Sequence, residues 1–380
     1  MKSQVALVAI GRTAFGPGDG NLADLRPDTA LAAVMAEVHG NRLPLHSPGV
    51  DLVVTGTAAP EFEQSFLSAR SAMHLAGLAE NVPGYCLCAG QTAGLLAVKT
   101  AMESILSGRA RMVYVCGMDF TSRVPPMGYN PTFNEEIRQT DPHFYTPAGL
   151  SAEHLVSRFR LTREELDRHA NDSRRKAALA GERGLFQAEI VAVKAEGSLV
   201  RDDQLKPTRE ISAMAAAEPL YIKGGCLTRL NCAHLASAAA CLALCPEEFA
   251  REMGLSPLAL LHPVTCLGGA PARGAETALA ALETAAREEK REVSSFDLVE
   301  VDEATAALPL AVARHFGLTE TQVNPGGGSL AFGNALGTSG LRMVTATAAA
   351  MERNELATAI IGQYGDGGLA VACVMEKANG

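Results

Sequence analysis

Thiols, imidazoles and carboxylates are the side chains that could attack, take a proton or give one, and few of them stand in suggestive places. Cys86 and Cys88 alternate along a short apolar run that reads as a strand, so both thiols share one face. Such a thiol is a nucleophile where a helix start lowers its pKa, and otherwise a small buried core residue. Asp302 and Glu303 open a helical pattern. Asp302 is either a base or the N-cap of a helix over 303–314, and Glu303 reads as a first-turn helix acid. His143, His154, His169 and His262 lack the spacing of a metal site, and no Cys-x-x-Cys pair occurs, so no metal is expected.

Two stretches that would position such groups read alike. Residues 92–117, TAGLLAVKTAMESILSGRARMVYVCG, and residues 338–362, TSGLRMVTATAAAMERNELATAIIG, each pass from small residues into a helix, a polar break and a β-branched strand ending in glycine. One α/β unit used twice would set two helix starts side by side. Backbone N–H groups at helix starts stabilise developing negative charge, so a pocket between the halves is expected to hold the chemistry.

The remaining pattern fills in around that unit. Apolar strands at 4–10, 51–55, 82–88 and 111–116 alternate with helices at 28–39, 65–76 and 92–107, which predicts a largely parallel, covered sheet. Residues 118–245 change texture, with the run SRVPPMGYNPTFNEE and charged helices, one opened by Thr162 and Glu165 at capping-box spacing. This part reads as an insertion over one face of the core. Alternation resumes near residue 256. The expected parts are an N-terminal half, 1–117, an inserted loop domain, 118–245, and a C-terminal half, 246–380.

Composition narrows the functional classes. The 380 residues are 47% hydrophobic and 20% charged, with net charge −9 and no basic block, so nucleic-acid binding is not expected. No stretch reaches the ~18–20 apolar residues that span a bilayer, and the start reads as a strand instead of a leader. The nine cysteines are scattered and set mostly in apolar runs, as for free thiols in a reducing compartment. The cytoplasm is the expected location, with no membrane contact.

Seven segments in order, GRTAFG at 11–16, GLLAV at 94–98, VCGMD at 115–119, LSAEHL at 150–155, LVEVDEATAA at 298–307, NPGGGSLAFGNALGTSG at 324–340 and GQYGDGGLAVACVME at 362–376, resemble the thiolase family over nearly the whole chain. The resemblance implies an α/β fold of duplicated βαβαβ halves in five αβαβα layers with the middle insertion. It also implies carbon–carbon bond formation or cleavage on acyl-CoA, with CoA as substrate or ligand, no further cofactor, and dimers.

Thiolases use a cysteine nucleophile, an activating histidine, an acid/base cysteine and a water-holding asparagine. Counting without gaps, those positions hold Gln91, Asn334, Gln363 and Asp302. Amides are neither nucleophiles nor bases near pH 7. The backbone N–H groups of Gln91 and Gly365 match the positions of an oxyanion hole. His234, Ser151 and Tyr364 are candidate acyl-CoA contacts, with His234 placed to narrow the CoA channel or to serve as a structural histidine. Moving the nucleophile to Cys88 would need a three-residue slip. Three functions remain open: a catalytically degenerate subunit paired with an active thiolase-type enzyme; an acyltransferase, thiolase or decarboxylase with altered chemistry through Asp302, Tyr364 or Asp366; and a non-catalytic acyl-CoA-binding protein.

Overall fold

The opening run Val5–Arg12 is buried at all eight positions, as a strand covered on both faces must be. In the computed structural model, which describes residues 4–44 and 49–378, it lies where two half-sheets meet. On one side follow Ala236–Pro246, Val113–Phe120, Leu52–Thr57 and Gly84–Cys88. On the other follow Ala259–Leu261, Leu369–Glu376, Thr358–Tyr364 and Leu298–Val301. Among the described residues, three pairs, Val5 with Leu261, Ala6 with Leu260 and Leu7 with Ala259, join the halves through the sheet.

The repeat is an architectural one. Leu52–Thr57 runs parallel to Val113–Phe120, which pairs antiparallel with Ala236–Pro246. Leu298–Val301 runs parallel to Thr358–Tyr364, which pairs antiparallel with Leu369–Glu376. In each half the repeat helix, Ala93–Leu106 or Gly337–Asn354, precedes the middle strand. Both helices share one apolar core with strands of both halves and form the central layer. Helices Pro27–Glu37 and Ser68–Leu75 cover the outer face of one half, and Gly274–Glu288 with Ala307–Phe316 covers the other. The result is five layers, α on β on α on β on α.

The small residues opening both repeats have a steric reason. A Cβ on Gly94 would stand 2.2 Å from the Gly337 carbonyl oxygen, so the helices cross backbone to backbone there.

Two boundaries differ from expectation. Ala236–Pro246, assigned from sequence to the end of the insertion, is a central strand buried along nearly its whole length. Its sequence, ASAAACLALCP, has no β-branched residue, so it carries little strand signal. The inserted chain therefore runs between Phe120 and Ala236. The helix expected over 303–314 begins at Ala307, with Ala306 as its cap, so Asp302 does not cap it. The capping box of Thr162 and Glu165 does form, opening Arg163–Glu182.

Arg12, from GRTAFG, ties the insertion to the first strand. Its buried guanidinium donates to Glu189 at 2.9 Å and to both oxygens of Asp203 at 2.7 and 2.9 Å.

Candidate active site

Residues 90–92 form a single tight turn that leads into the first repeat helix and buries Gln91 at the helix start. Asn334 lies opposite, in the glycine-flanked loop before the second repeat helix. Its main chain is held to the inserted segment, N–H to the His234 oxygen at 2.7 Å and oxygen from the Ala236 N–H at 2.9 Å. Its side-chain oxygen accepts from the Leu336 N–H at 2.8 Å and the Ser339 hydroxyl at 3.0 Å. That fixes the amide orientation, since a backbone N–H can only donate. The Asn334 amide nitrogen therefore points at Gln91 and donates to its Oε1 at 2.8 Å.

These two residues line a cavity of about 470 Å³. Ala233, Leu235, Ala304 and Thr305 form its sides, and Met127, Phe133, Phe144 and Tyr145 of the insertion cover it. The titratable side chains lining it are Tyr145, Tyr221 and Asp366, and no cysteine or histidine lines it among the described residues. The aromatic cover is the site feature that sequence reasoning passed over; its signal was the pair of aromatic clusters in YNPTF and HFY within an otherwise polar run.

The other expected residues are placed differently. Gln363 is fully buried against Gly340, with neither amide atom hydrogen-bonded, and it does not join the Gln91–Asn334 pair. The Gly365 N–H, expected to face a ligand oxygen, donates to the Leu369 oxygen at 2.9 Å and closes the hairpin, although the glycine itself packs beside the Gln91 and Thr92 nitrogens. The second helix start is also occupied: Asp119 accepts from the Thr338 N–H at 3.2 Å, from Ala58 N–H at 2.9 Å and from the Thr57 hydroxyl at 3.1 Å. Gln91 before the first repeat helix and Asn334 and Leu336 before the second all line the cavity, so both halves bound it, although Asp119 already takes the Thr338 N–H at the second start.

Asp302 is buried. One oxygen accepts from the Ala304 N–H at 3.2 Å and the other has no partner. Burial pushes its pKa up to about 7, against the opposing pull of Arg342 and nearby backbone N–H groups. Glu303 is the reverse case and is not a first-turn helix acid. Its burial would raise the pKa, but donors from His169 at 3.0 Å, Ser173 at 2.5 Å and Asn324 at 2.9 Å hold it down to about 2. It anchors the second half to helix Arg163–Glu182.

His234 does not line the cavity; its imidazole packs on Gly333, and burial, then Lys206 and Arg174, lower its pKa to about 4. Ser151 spends its hydroxyl accepting from the Ala275 N–H at 2.9 Å, at the start of Gly274–Glu288. Tyr364 is buried and donates to the Ala148 oxygen at 3.3 Å. Cys88 is exposed on the edge strand, 3.5 Å from the Ala58 oxygen and outside the cavity. Among the described residues no group of three or more His, Cys, Asp or Glu could hold a metal, and no helix is long and apolar enough to cross a membrane.

Comparison with known proteins agrees with this architecture. The family descriptions "Thiolase, N-terminal domain" and "Thiolase, C-terminal domain" match residues 5–248 and 255–377. Probable acetyl-CoA acyltransferases of Staphylococcus aureus strains MSSA476 and MW2 are each 30% identical over 393 residues, covering 99% of both chains. Among solved structures, human mitochondrial 3-ketoacyl-CoA thiolase in complex with CoA superposes with a TM-score of 0.89 at 23% identity, over 99% of this chain and 98% of that one. A second structure of the human thiolase has the same TM-score at 22% identity. On the two domain matches and the full-length relatives, the chain belongs to the thiolase family.

Proposed function

We propose that this chain is a catalytically degenerate thiolase-family subunit, which holds acyl-CoA without forming an acyl-enzyme and pairs with a catalytically intact thiolase-type chain. The Gln91–Asn334 bond carries the reading. If Gln91 and Asn334 occupy the nucleophile and activating-histidine positions, two amides satisfy one another where a thiolate and an imidazole would act. Neither amide can attack a thioester or take a proton near pH 7. The cavity remains open, and the human thiolase named above was solved with CoA, which supports an acyl-CoA ligand here.

Pairing is supported by the sheet edge. Gly84–Cys88 ends the sheet with Tyr85 and Cys88 exposed, and Phe62, Phe66 and Leu67 are exposed among the elements preceding it. An unpaired strand edge with apolar neighbours is a surface for a second chain, either a copy of this one or a thiolase-type partner. We place the pair in the cytoplasm.

Altered chemistry is the second reading, favoured by the buried Asp302 carboxyl with its unpartnered oxygen. An acyl-CoA-binding protein without partner or turnover is the third. Native mass spectrometry, on the chain alone and mixed with a thiolase-type chain that retains Cys, His and Cys, separates them. A mixed dimer whose turnover exceeds that of the partner alone supports the first reading. Turnover by this chain alone, lost on Asp302→Ala, supports the second. Calorimetric CoA binding with neither dimer nor turnover supports the third.

A further inference from the structure

A second cavity, of about 250 Å³, lies where Gly337–Asn354, from Arg342 to its end, meets the last turns of Arg163–Glu182 and the edge strand Leu298–Val301. Along that helix its lining begins at Arg342, about 8 Å from Gly337, and reaches Arg353, about 24 Å from it, and it shares no lining residue with the candidate active site. Four cations line it, Lys176, Arg183, Arg342 and Arg353, with two carboxylates, Glu189 and Glu300. Both carboxylates are already matched, Glu189 by Arg12 at 2.9 Å and Glu300 by Arg342 at 3.1 Å. Arg183 and Arg353 are exposed and have no carboxylate partner among the described residues. Lys176 reaches only the carbonyl oxygens of Glu320 and Val323, at 3.0 and 3.2 Å. Three positive charges are therefore uncompensated here, on a chain whose net charge is −9.

The second observation is beneath them. The Arg342 side chain is 2% exposed. It lies over the Phe332 ring and donates one hydrogen bond, from Nη2 to Glu300. Its Nε–H is buried without an acceptor. A guanidinium carries five N–H donors in a planar fork that fits oxyanions, and a buried donor left unpaired is unfavourable. A ligand oxygen in the cavity would complete it.

We propose that this cavity is a second ligand site, which takes a compact oxyanion, a phosphate or carboxylate head, on Arg342 with Arg183 and Arg353 at the rim. The volume admits such a head with a small organic group.

Isothermal titration calorimetry at fixed ionic strength tests it, with inorganic phosphate and with citrate as probes. The wild type is expected to bind at least one of them saturably at one site. Arg183→Ala/Arg353→Ala, which alters only exposed side chains, is expected to weaken that binding at least tenfold. Gln91→Ala, at the other cavity, is expected to leave it unchanged. Saturation by citrate and not phosphate would identify the head as a carboxylate. No saturable binding of either probe, equal affinity in the wild type and the double variant, or loss of binding in Gln91→Ala would each overturn the proposal.

Discussion

Asn334 of the second half donates its side-chain amide to Gln91 of the first across 2.8 Å, and the same Asn334 accepts from Leu336 and Ser339. One side chain thus satisfies three neighbours and joins the repeats where their loops meet. Removing it strands a buried acceptor on Gln91 and buried donors on Leu336 and Ser339.

Asn334→Ala is therefore expected to lower stability by about 1–3 kcal/mol, the cost of unsatisfied buried groups. Asn334→Asp keeps both acceptor contacts but loses the donor to Gln91 and buries a carboxyl, so its cost should grow as pH rises and the carboxyl ionises. Urea denaturation of the three proteins at several pH values measures both effects; equal stability of Asn334→Ala and the wild type would contradict the first.

The crossing of the repeat helices makes Gly94 intolerant of a side chain. A Cβ 2.2 Å from the Gly337 oxygen forces the helices apart, so Gly94→Ala should cost roughly 1–3 kcal/mol. Gly268→Ala, where an added Cβ meets nothing within 4 Å, is the matched control and should change stability little. Thermal melts of the two variants compare them directly.

Asp302 makes stability depend on pH in a definite direction. Its folded pKa of about 7 lies above the unfolded value near 3.8. Across that window the folded chain holds a proton that the unfolded chain has released, so stability falls as pH rises, by about 1.4 kcal/mol for each unit of difference. Asp302→Asn mimics the protonated form. It should match the wild type at pH 4, exceed it at pH 8 and flatten the slope between. The slope should persist in part, because burial also lifts Asp119 and Glu300 to about 7. Denaturant midpoints at half-unit pH steps give the curves.

Glu303 works with the opposite sign. Its folded pKa of about 2 lies below the ordinary 4.5, so its stabilisation is present above pH 4.5 and lost as pH falls toward 2. Glu303→Gln removes the charge that His169, Ser173 and Asn324 address, at a cost of about 1.5–3 kcal/mol for a charge-assisted bond. The cost should shrink in acid, which a comparison of Tm at pH 7 and pH 3.5 would show.

Much of the fold was legible in the chain because its signals are local. Val5–Arg12 and Val113–Phe120 are β-rich runs, and the duplicated helix-and-strand pattern gave the two halves. Ala236–Pro246 was not legible, because small residues fit a tightly covered strand without advertising one. The positions of Gln91 and Asn334 could be found by counting, but their mutual bond could not, since 243 residues separate them. The same holds for Glu303, whose role depends on His169 and Ser173, 134 and 130 residues away. Gly365 does lie beside the Gln91 nitrogen, but sequence gives the position of an N–H and not whether the hairpin has already used it.

The most direct test of the account is intact-protein mass spectrometry after incubation with acetyl-CoA or acetoacetyl-CoA, with Gln91→Cys/Asn334→His beside the wild type. The account predicts no covalent acyl adduct on the wild type and one on the variant, where a thiol and an imidazole replace the amide pair. A stable acyl adduct on the wild type, mapped to Cys88 or any other thiol, would contradict it.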